Sequence, residues 1–157
     1  MHPLYVQVNR LLASYFSNYV QHFEVALKHA QDSLEMQRRI FGGEGDGLWK
    51  DYFLLGKIYF NNKNIDEAMR YLGRARELVK VNELREFEMF SELTLLIVKG
   101  YFEARRYQEA YTSVRELYGL IRNEKDEASL GYVIETVNWM RKSLEVIQDS
   151  ASYYQFL

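Results

Sequence analysis

The stretch from residue 48 to residue 79 shows most directly how this chain folds, and it reads LWKDYFLLGKIYFNNKNIDEAMRYLGRARELV. In its second half, apolar residues recur every three or four positions from Ile65 to Val79, with charged residues between them. This spacing predicts a surface helix with one apolar stripe. Asn64 precedes that helix and Glu67 follows three residues later, which is the pattern of a helix start stabilised by side-chain caps.

The first half of the stretch predicts a helix that is apolar on two sides. Tyr52 and Tyr59 share one face of such a helix, whereas Phe53 and Phe60 share another. A helix that is apolar on two faces is expected to lie inside a helical assembly. The two helices therefore form a hairpin, which is closed by the polar residues 61–63.

This hairpin recurs along the chain with a constant step. The sequence IDEA at 65–68 is matched by YQEA at 107–110 and less closely by FEVA at 23–26, so the final alanine returns every 42 residues. The sequences KIYF at 57–60 and KGYF at 99–102 keep the same step. A regular interval in this range is the signature of a solenoid, in which stacked hairpins bury their apolar faces against one another.

The pattern predicts an all-α chain of about seven helices in a single domain, 1–157. The expected helices span residues 4–18, 21–40, 48–61, 64–80, 84–104, 106–122 and 126–148. They group into repeats at about 4–41, 48–80 and 84–122, with a partial repeat at 126–157. Residues 150–157 are expected to begin a fourth outer helix that remains incomplete. The chain is therefore expected to fold this tail back, to pair with another chain through it, or to be a fragment of a longer protein.

Composition and charge exclude several classes of protein. With 48% apolar residues in 157, the chain can form a substantial core. Twenty basic residues against 22 acidic ones give a net charge of −2, which lacks the basic excess of a nucleic-acid-binding protein. The longest apolar run, 93–98, which includes Thr94, is far shorter than the roughly 20 residues of a membrane span. The absence of cysteine fits a cytoplasmic protein. We therefore expect no binding to membranes or nucleic acid.

The second repeat resembles the tetratricopeptide repeat (TPR). The residues that carry the resemblance are Leu55, Gly56, Tyr59, Ala68, Leu72 and Ala75. The other repeats match more loosely, and HEAT or armadillo repeats are the structural alternative. A period of 42 adds about one turn to each helix of the usual TPR, as in kinesin light chain and the peptide-pheromone sensors of Gram-positive bacteria. The resemblance implies a right-handed superhelical solenoid whose inner helices line a concave, peptide-binding groove.

Residues at matching places on the inner helices are the candidates for such a groove. The expected binding residues are Tyr15, Asn18, Phe53, Lys57, Phe60, Asn61, Leu95, Lys99, Phe102, Asn138 and Arg141. The 42-residue step aligns Lys57, Lys99 and Arg141, and three cations in a row would attract a carboxylate or an acidic peptide. The alternative is that the lysines belong to a solvated face, while the phenylalanines pack against the next hairpin.

The sequence contains no pattern that predicts catalysis, a cofactor or a metal site. The glycine-rich segment 42–47 follows a predicted helix and lacks the Lys-Ser/Thr ending of a phosphate-binding loop. His22 and His29 are about 10.5 Å apart along a helix, too far to share one metal ion. The expected function is therefore that of a peptide- or protein-binding scaffold. Two alternatives stay open: the ligand-sensing domain of a bacterial peptide-responsive transcription regulator, and an assembly module that forms a homodimer through its C-terminal end.

Overall fold

A computed structural model of the chain describes residues 2–43, 47–79 and 87–155, and over these ranges it is helical with no strands. The α-helices are α1 (Leu4–Tyr15), α2 (Phe23–Phe41), α3 (Leu48–Asn61), α4 (Ile65–Leu78), α5 (Phe87–Glu103), α6 (Tyr107–Ile121) and α7 (Glu127–Gln155), and a π-helical segment, Phe16–Val20, follows α1. The predicted all-α class is confirmed. Within the described ranges, none of the helices has the length and apolar character needed to cross a bilayer.

The chain divides into two compact units, Met1–Lys80 and Val81–Leu157. In the first unit, α1 and α2 form one hairpin and α3 and α4 form another, with α3 packed against both helices of the first hairpin. In the second unit, α5 and α6 form a hairpin and α7 packs against both of its helices. In each unit, therefore, an inner helix docks on the hairpin that precedes it in sequence.

The 42-residue step of the sequence reappears in the burial of the outer helices. The residues that are completely buried at matching positions are Ala26, Ala68 and Ala110, followed four residues later by Ala30, Leu72 and Val114. Small and apolar residues at these positions let the inner helix of each hairpin approach closely. At Gly56 a Cβ atom would lie only 2.5 Å from Cδ2 of Leu72, so only glycine fits this approach of α3 to α4.

The hairpin turns repeat as well. Lys63 and Arg105 both adopt the left-handed conformation, with φ of 63° and 58°. The N–H of Asn64 donates to the carbonyl of Tyr59 at 3.0 Å, and the same bond recurs 42 residues later at 2.8 Å. A left-handed residue followed by this long hydrogen bond satisfies the last carbonyl groups of a helix. The sequence signals this turn weakly, because glycine is the usual residue at the left-handed position.

The first hairpin contains one additional residue, and the π-helical segment accommodates it. His22 donates its N–H to the carbonyl of Phe16, six residues earlier instead of five. Phe16 stacks on His29 at 5.8 Å, as Tyr59 stacks on Tyr71 at 5.5 Å. His29 and Tyr71 are 42 residues apart, but Phe16 and Tyr59 are 43 apart. The predicted constant step of 42 is therefore wrong by one residue for the first inner helix, since α1 matches α3 with a step of 43.

The predicted ranges of the C-terminal helices also need a correction. The predicted inner helix 126–148 and the outer helix expected to start near residue 150 are one continuous helix, α7, which extends to Gln155. Between residue 132 and residue 155 the sequence has neither glycine nor proline, so nothing interrupts the helix. The predicted residues 80 and 84–86, and the last two residues of the tail, lie outside the described ranges.

Candidate peptide-binding cleft

A cleft of about 550 Å³ opens in the first unit where the π-helical segment lies beside the turn between α3 and α4. Its lining residues are Ser17, Asn18, Gln21, Phe23, Ile58, Phe60, Asn61, Asn62 and Lys63. Each side of the cleft is the C-terminal end of an inner helix followed by a left-handed residue, Gln21 on one side and Lys63 on the other. The two ends project polar side chains because helix C-termini and turns favour such residues.

Two asparagine side chains meet across this cleft. Nδ2 of Asn61 donates to Oγ of Ser17 at 3.2 Å and to Oδ1 of Asn18 at 3.4 Å. Both amides are exposed to solvent. A side-chain amide offers donors and an acceptor together, so the pair matches the N–H and C=O groups of an extended peptide backbone.

Apolar side chains form the other part of the lining. Ile58 is almost completely buried, while Phe23 and Phe60 are partly exposed. Phe23 packs edge-on against Tyr59 at 5.6 Å, and Tyr59 stacks on Tyr71 behind it. Burial, followed by the nearby Tyr71 and Glu67 side chains, raises the pKa of Tyr59, so this phenol stays neutral at physiological pH. The Tyr59 ring that supports Phe23 is therefore uncharged.

The charge of the cleft is small. Among its lining residues Lys63 is the only ionisable one, and its side chain is exposed. A single cation beside amide groups suits a neutral segment or one that carries a carboxylate. It gives no basis for selecting a strongly acidic ligand.

A buried ion pair holds α3 in place beside the first hairpin. Asp51 is completely buried and accepts hydrogen bonds from Arg10, whose Nε and Nη2 lie 2.9 Å and 2.5 Å from its oxygens. Oγ of Ser33 donates to the same carboxylate at 2.5 Å. One carboxylate thus connects α1, α2 and α3, which fixes the two helices whose ends form the cleft.

The structure brings together three of the residues expected to bind a ligand, Asn18, Phe60 and Asn61. It places two others in the core, because Phe53 and Leu95 are each 3% exposed. Phe53 stacks on Trp49, and Leu95 packs with Leu117 and Ile121. The expectation that these two side chains line an open groove is therefore corrected.

The cations of the expected row have local partners. Nζ of Lys99 lies 3.1 Å from Glu135, and Arg141 pairs with Glu145 one helical turn further on, at 2.7 Å. Nζ of Lys57 lies 5.2 Å from the ring centroid of Phe53. Because Lys99 and Arg141 each pair with a carboxylate, they attract an acidic ligand far less than the sequence pattern indicates.

The remaining expected residues lie at separate places. Phe102 packs edge-on between Tyr107 and Trp139, at 5.0 Å from each, while Asn138 is exposed on α7. Tyr15 is exposed on α1. A step of 42 would match it with Lys57, whereas the observed step of 43 matches it with Ile58.

Sequence reasoning missed six lining residues of the cleft, namely Ser17, Gln21, Phe23, Ile58, Asn62 and Lys63. The signal that points to them is the interval between Asn18 and Asn61, which is 43 residues in a chain that otherwise repeats every 42. An inserted residue near the end of the first inner helix shifts its polar end toward the next hairpin turn. π-Helical insertions of this kind are frequent at functional sites.

In the described parts of the chain, no group of three or more His, Cys, Asp or Glu side chains is arranged to hold a metal ion. No protein-family model matches the chain, and no curated protein matches it at a significant level.

Proposed function

We propose that this chain is a peptide-binding module of the tetratricopeptide type, and that the cleft holds an extended segment of a partner peptide or protein. The observation that carries the proposal is the pair of exposed amides, Asn18 and Asn61, set beside apolar lining by the π-helical insertion. Amide side chains recognise a peptide backbone independently of its sequence, while apolar contacts select the side chains of the ligand.

The size and charge of the cleft also support an extended peptide segment as the ligand. Its volume lies within the range of ligand pockets, about 300 to 1,000 Å³, which suits a few residues of an extended chain. Phe23 and Phe60 offer contact for one apolar side chain of the ligand. Lys63 favours a carboxylate at the end of the cleft, as at the C-terminus of a peptide.

The proposal includes a right-handed superhelical solenoid as the architecture of the module. The repeated burial pattern and the repeated hairpin turns support it, as does the docking of α3 and α7 on the hairpins that precede them. In this proposal the chain is a cytoplasmic scaffold without catalytic activity, and its partner is a peptide or protein segment.

The proposal is tested by measuring how tightly variants of the exposed asparagines bind peptides. Ligands are selected for the wild-type chain from an array of random linear peptides of about ten residues, and their affinities are measured by fluorescence anisotropy. Asn61→Ala removes backbone hydrogen bonds worth about 1 kcal/mol, so we expect an affinity loss of about fivefold or more. Asn138→Ala changes an exposed asparagine outside the cleft and serves as the matched control. An equal effect of both variants, or no effect of Asn61→Ala, would overturn the proposal.

A further inference from the structure

Helix α1 and the π-helical segment carry a row of exposed apolar side chains, which we call the α1 stripe. It consists of Leu4, Val8, Leu11, Tyr15 and Tyr19, with exposures between 42% and 80%. Steps of four, three, four and four residues place all five on one helical face. At 1.5 Å per residue the stripe is about 22 Å long. A row of this length on a helix of a soluble protein marks a surface that binds a partner.

The corrected repeat step identifies what kind of surface this is. With a step of 43, Val8 and Tyr15 correspond to Asp51 and Ile58 of α3. Those two residues are 0% and 1% exposed, and Asp51 bonds directly to the first hairpin through Arg10. Two residues of the α1 stripe therefore occupy positions that α3 uses to dock on a neighbouring hairpin.

Charge distinguishes the α1 stripe from the docking faces that are already occupied. Asp51 of α3 pairs with Arg10, and Glu135 of α7, at the same repeat position, pairs with Lys99. Each docking helix thus carries an acid that meets a base on the hairpin beneath it. At this position α1 has Val8, so its stripe lacks the group that pairs with another hairpin of this type.

The segment that carries the stripe is also almost without charge. Between residue 4 and residue 21 the only charged side chain is Arg10, which is bound to Asp51. A neutral apolar face can meet a second copy of itself without repulsion between like charges, whereas a charged partner would find no complementary group. Among the alternatives, a second copy of this chain fits the stripe best.

We propose that two copies of the chain dimerise through their α1 stripes, antiparallel across a twofold axis that passes near Leu11. Leu11 is the middle residue of the stripe, so an antiparallel pair centred there brings Leu4 of each copy opposite the Tyr19 end of the other. Twofold symmetry makes the same surface serve both copies. One helix from each copy gives an interface at the small end of the range for stable complexes, and we expect a dissociation constant of about micromolar size.

Sedimentation equilibrium of the full chain tests the dimer. The wild type is expected to show a monomer–dimer equilibrium, and Leu11→Glu is expected to weaken it at least tenfold because two carboxylates would meet at the axis. Leu120→Glu is the matched control, since Leu120 is an exposed leucine on α6 and lies outside the stripe. Circular dichroism verifies that both variants fold. A wild type that stays monomeric, or a dimer that only Val137→Glu on α7 disrupts, would overturn the proposal.

Disulfide trapping tests the antiparallel arrangement, because the chain has no cysteine of its own. Under mild oxidation, Leu11→Cys is expected to give a covalent dimer. Leu4→Cys is expected to remain monomeric, because in an antiparallel pair the two positions are separated by about 21 Å. Covalent dimers from both variants would indicate a parallel pair and overturn the twofold axis at Leu11. Dimer formation by neither variant would overturn the stripe as the interface.

Discussion

Replacing Gly56 by alanine tests how closely the two helices of a hairpin approach each other. An added Cβ atom would lie 2.5 Å from Cδ2 and 2.6 Å from Cγ of Leu72, which is completely buried. Overpacking of this kind costs about 1 to 3 kcal/mol, and the better helix propensity of alanine returns about 1 kcal/mol. Because two carbon atoms of a fixed side chain must move, we expect a net loss of about 1 to 2 kcal/mol in the free energy of unfolding.

The chain offers a matched control one residue beyond Leu72. Gly73 lies in the middle of α4, and a Cβ atom there would have no other atom within 4 Å. Gly73→Ala is therefore expected to stabilise the protein by about 1 kcal/mol through helix propensity alone. Urea unfolding followed by far-UV circular dichroism measures both variants, and their free energies should differ by about 2 to 3 kcal/mol in opposite directions from the wild type.

A double mutant isolates the contact with Leu72. Leu72→Ala alone removes a buried side chain and should cost about 2 to 5 kcal/mol. With alanine at residue 56, part of that cavity is filled, so the double mutant should be more stable than the sum of the single effects by at least about 0.5 kcal/mol. Strict additivity, or a Gly56→Ala protein as stable as Gly73→Ala, would refute the close approach of α3 to α4.

Three further perturbations follow from the turns, the buried ion pair and the last helix. Lys63→Gly should stabilise the protein against urea by about 0.5 to 1 kcal/mol, since glycine adopts the left-handed conformation without steric strain. Arg10→Leu should destabilise it by about 3 to 5 kcal/mol, because Asp51 would be buried without its partner. Hydrogen bonds from Ser129, first from its side chain and then from its backbone N–H, lower the pKa of Asp126. This contribution to stability is present above the unfolded pKa of about 3.9 and is lost as the pH falls through the lower folded pKa. Replacing Asp126 by alanine should therefore flatten the acid limb of a stability profile against pH.

Each of these perturbations has its own control. Arg105→Gly should repeat the effect of Lys63→Gly, because both residues have the same backbone conformation. The double variant of Arg10 and Asp51, both changed to leucine, should be more stable than Arg10→Leu alone, since it removes the unpaired charge. Ser129→Ala removes the side-chain hydrogen bond that lowers the pKa of Asp126 most, so it should flatten the acid limb as well.

The helices could be predicted from the sequence because they depend on local patterns. The apolar stripe from Ile65 to Val79 and the cap at Asn64 place α4 correctly, and Asn64 does accept a hydrogen bond from the N–H of Glu67. The alanines of the outer helices mark the repeat because only small or apolar side chains fit where inner and outer helices meet. Each of these signals lies within a few residues of the structure that it predicts.

The candidate site was less predictable because it depends on register and on contacts between distant residues. One inserted residue in the first inner helix moves Asn18 into line with Asn61, and periodicity alone does not locate such an insertion. Lys99 pairs with Glu135 of α7, which lies near it only because α7 packs against α5. Arg141 pairs with Glu145 one helical turn away, and this contact depends on the conformations of the two side chains. Phe53 and Leu95 show why an apolar residue on an inner helix cannot be assigned to a groove or to the core from spacing alone.

Nuclear magnetic resonance tests the central claim, that the cleft binds a peptide, most directly. A ¹⁵N-labelled chain is titrated with a peptide selected from the array, and the backbone and side-chain amide signals are followed. The account predicts that the largest shifts fall in residues 17–23 and 58–63, with the side-chain amides of Asn18 and Asn61 among them. A titration that saturates with its largest shifts in α5, α6 or α7, and leaves both asparagine amides unchanged, would contradict it.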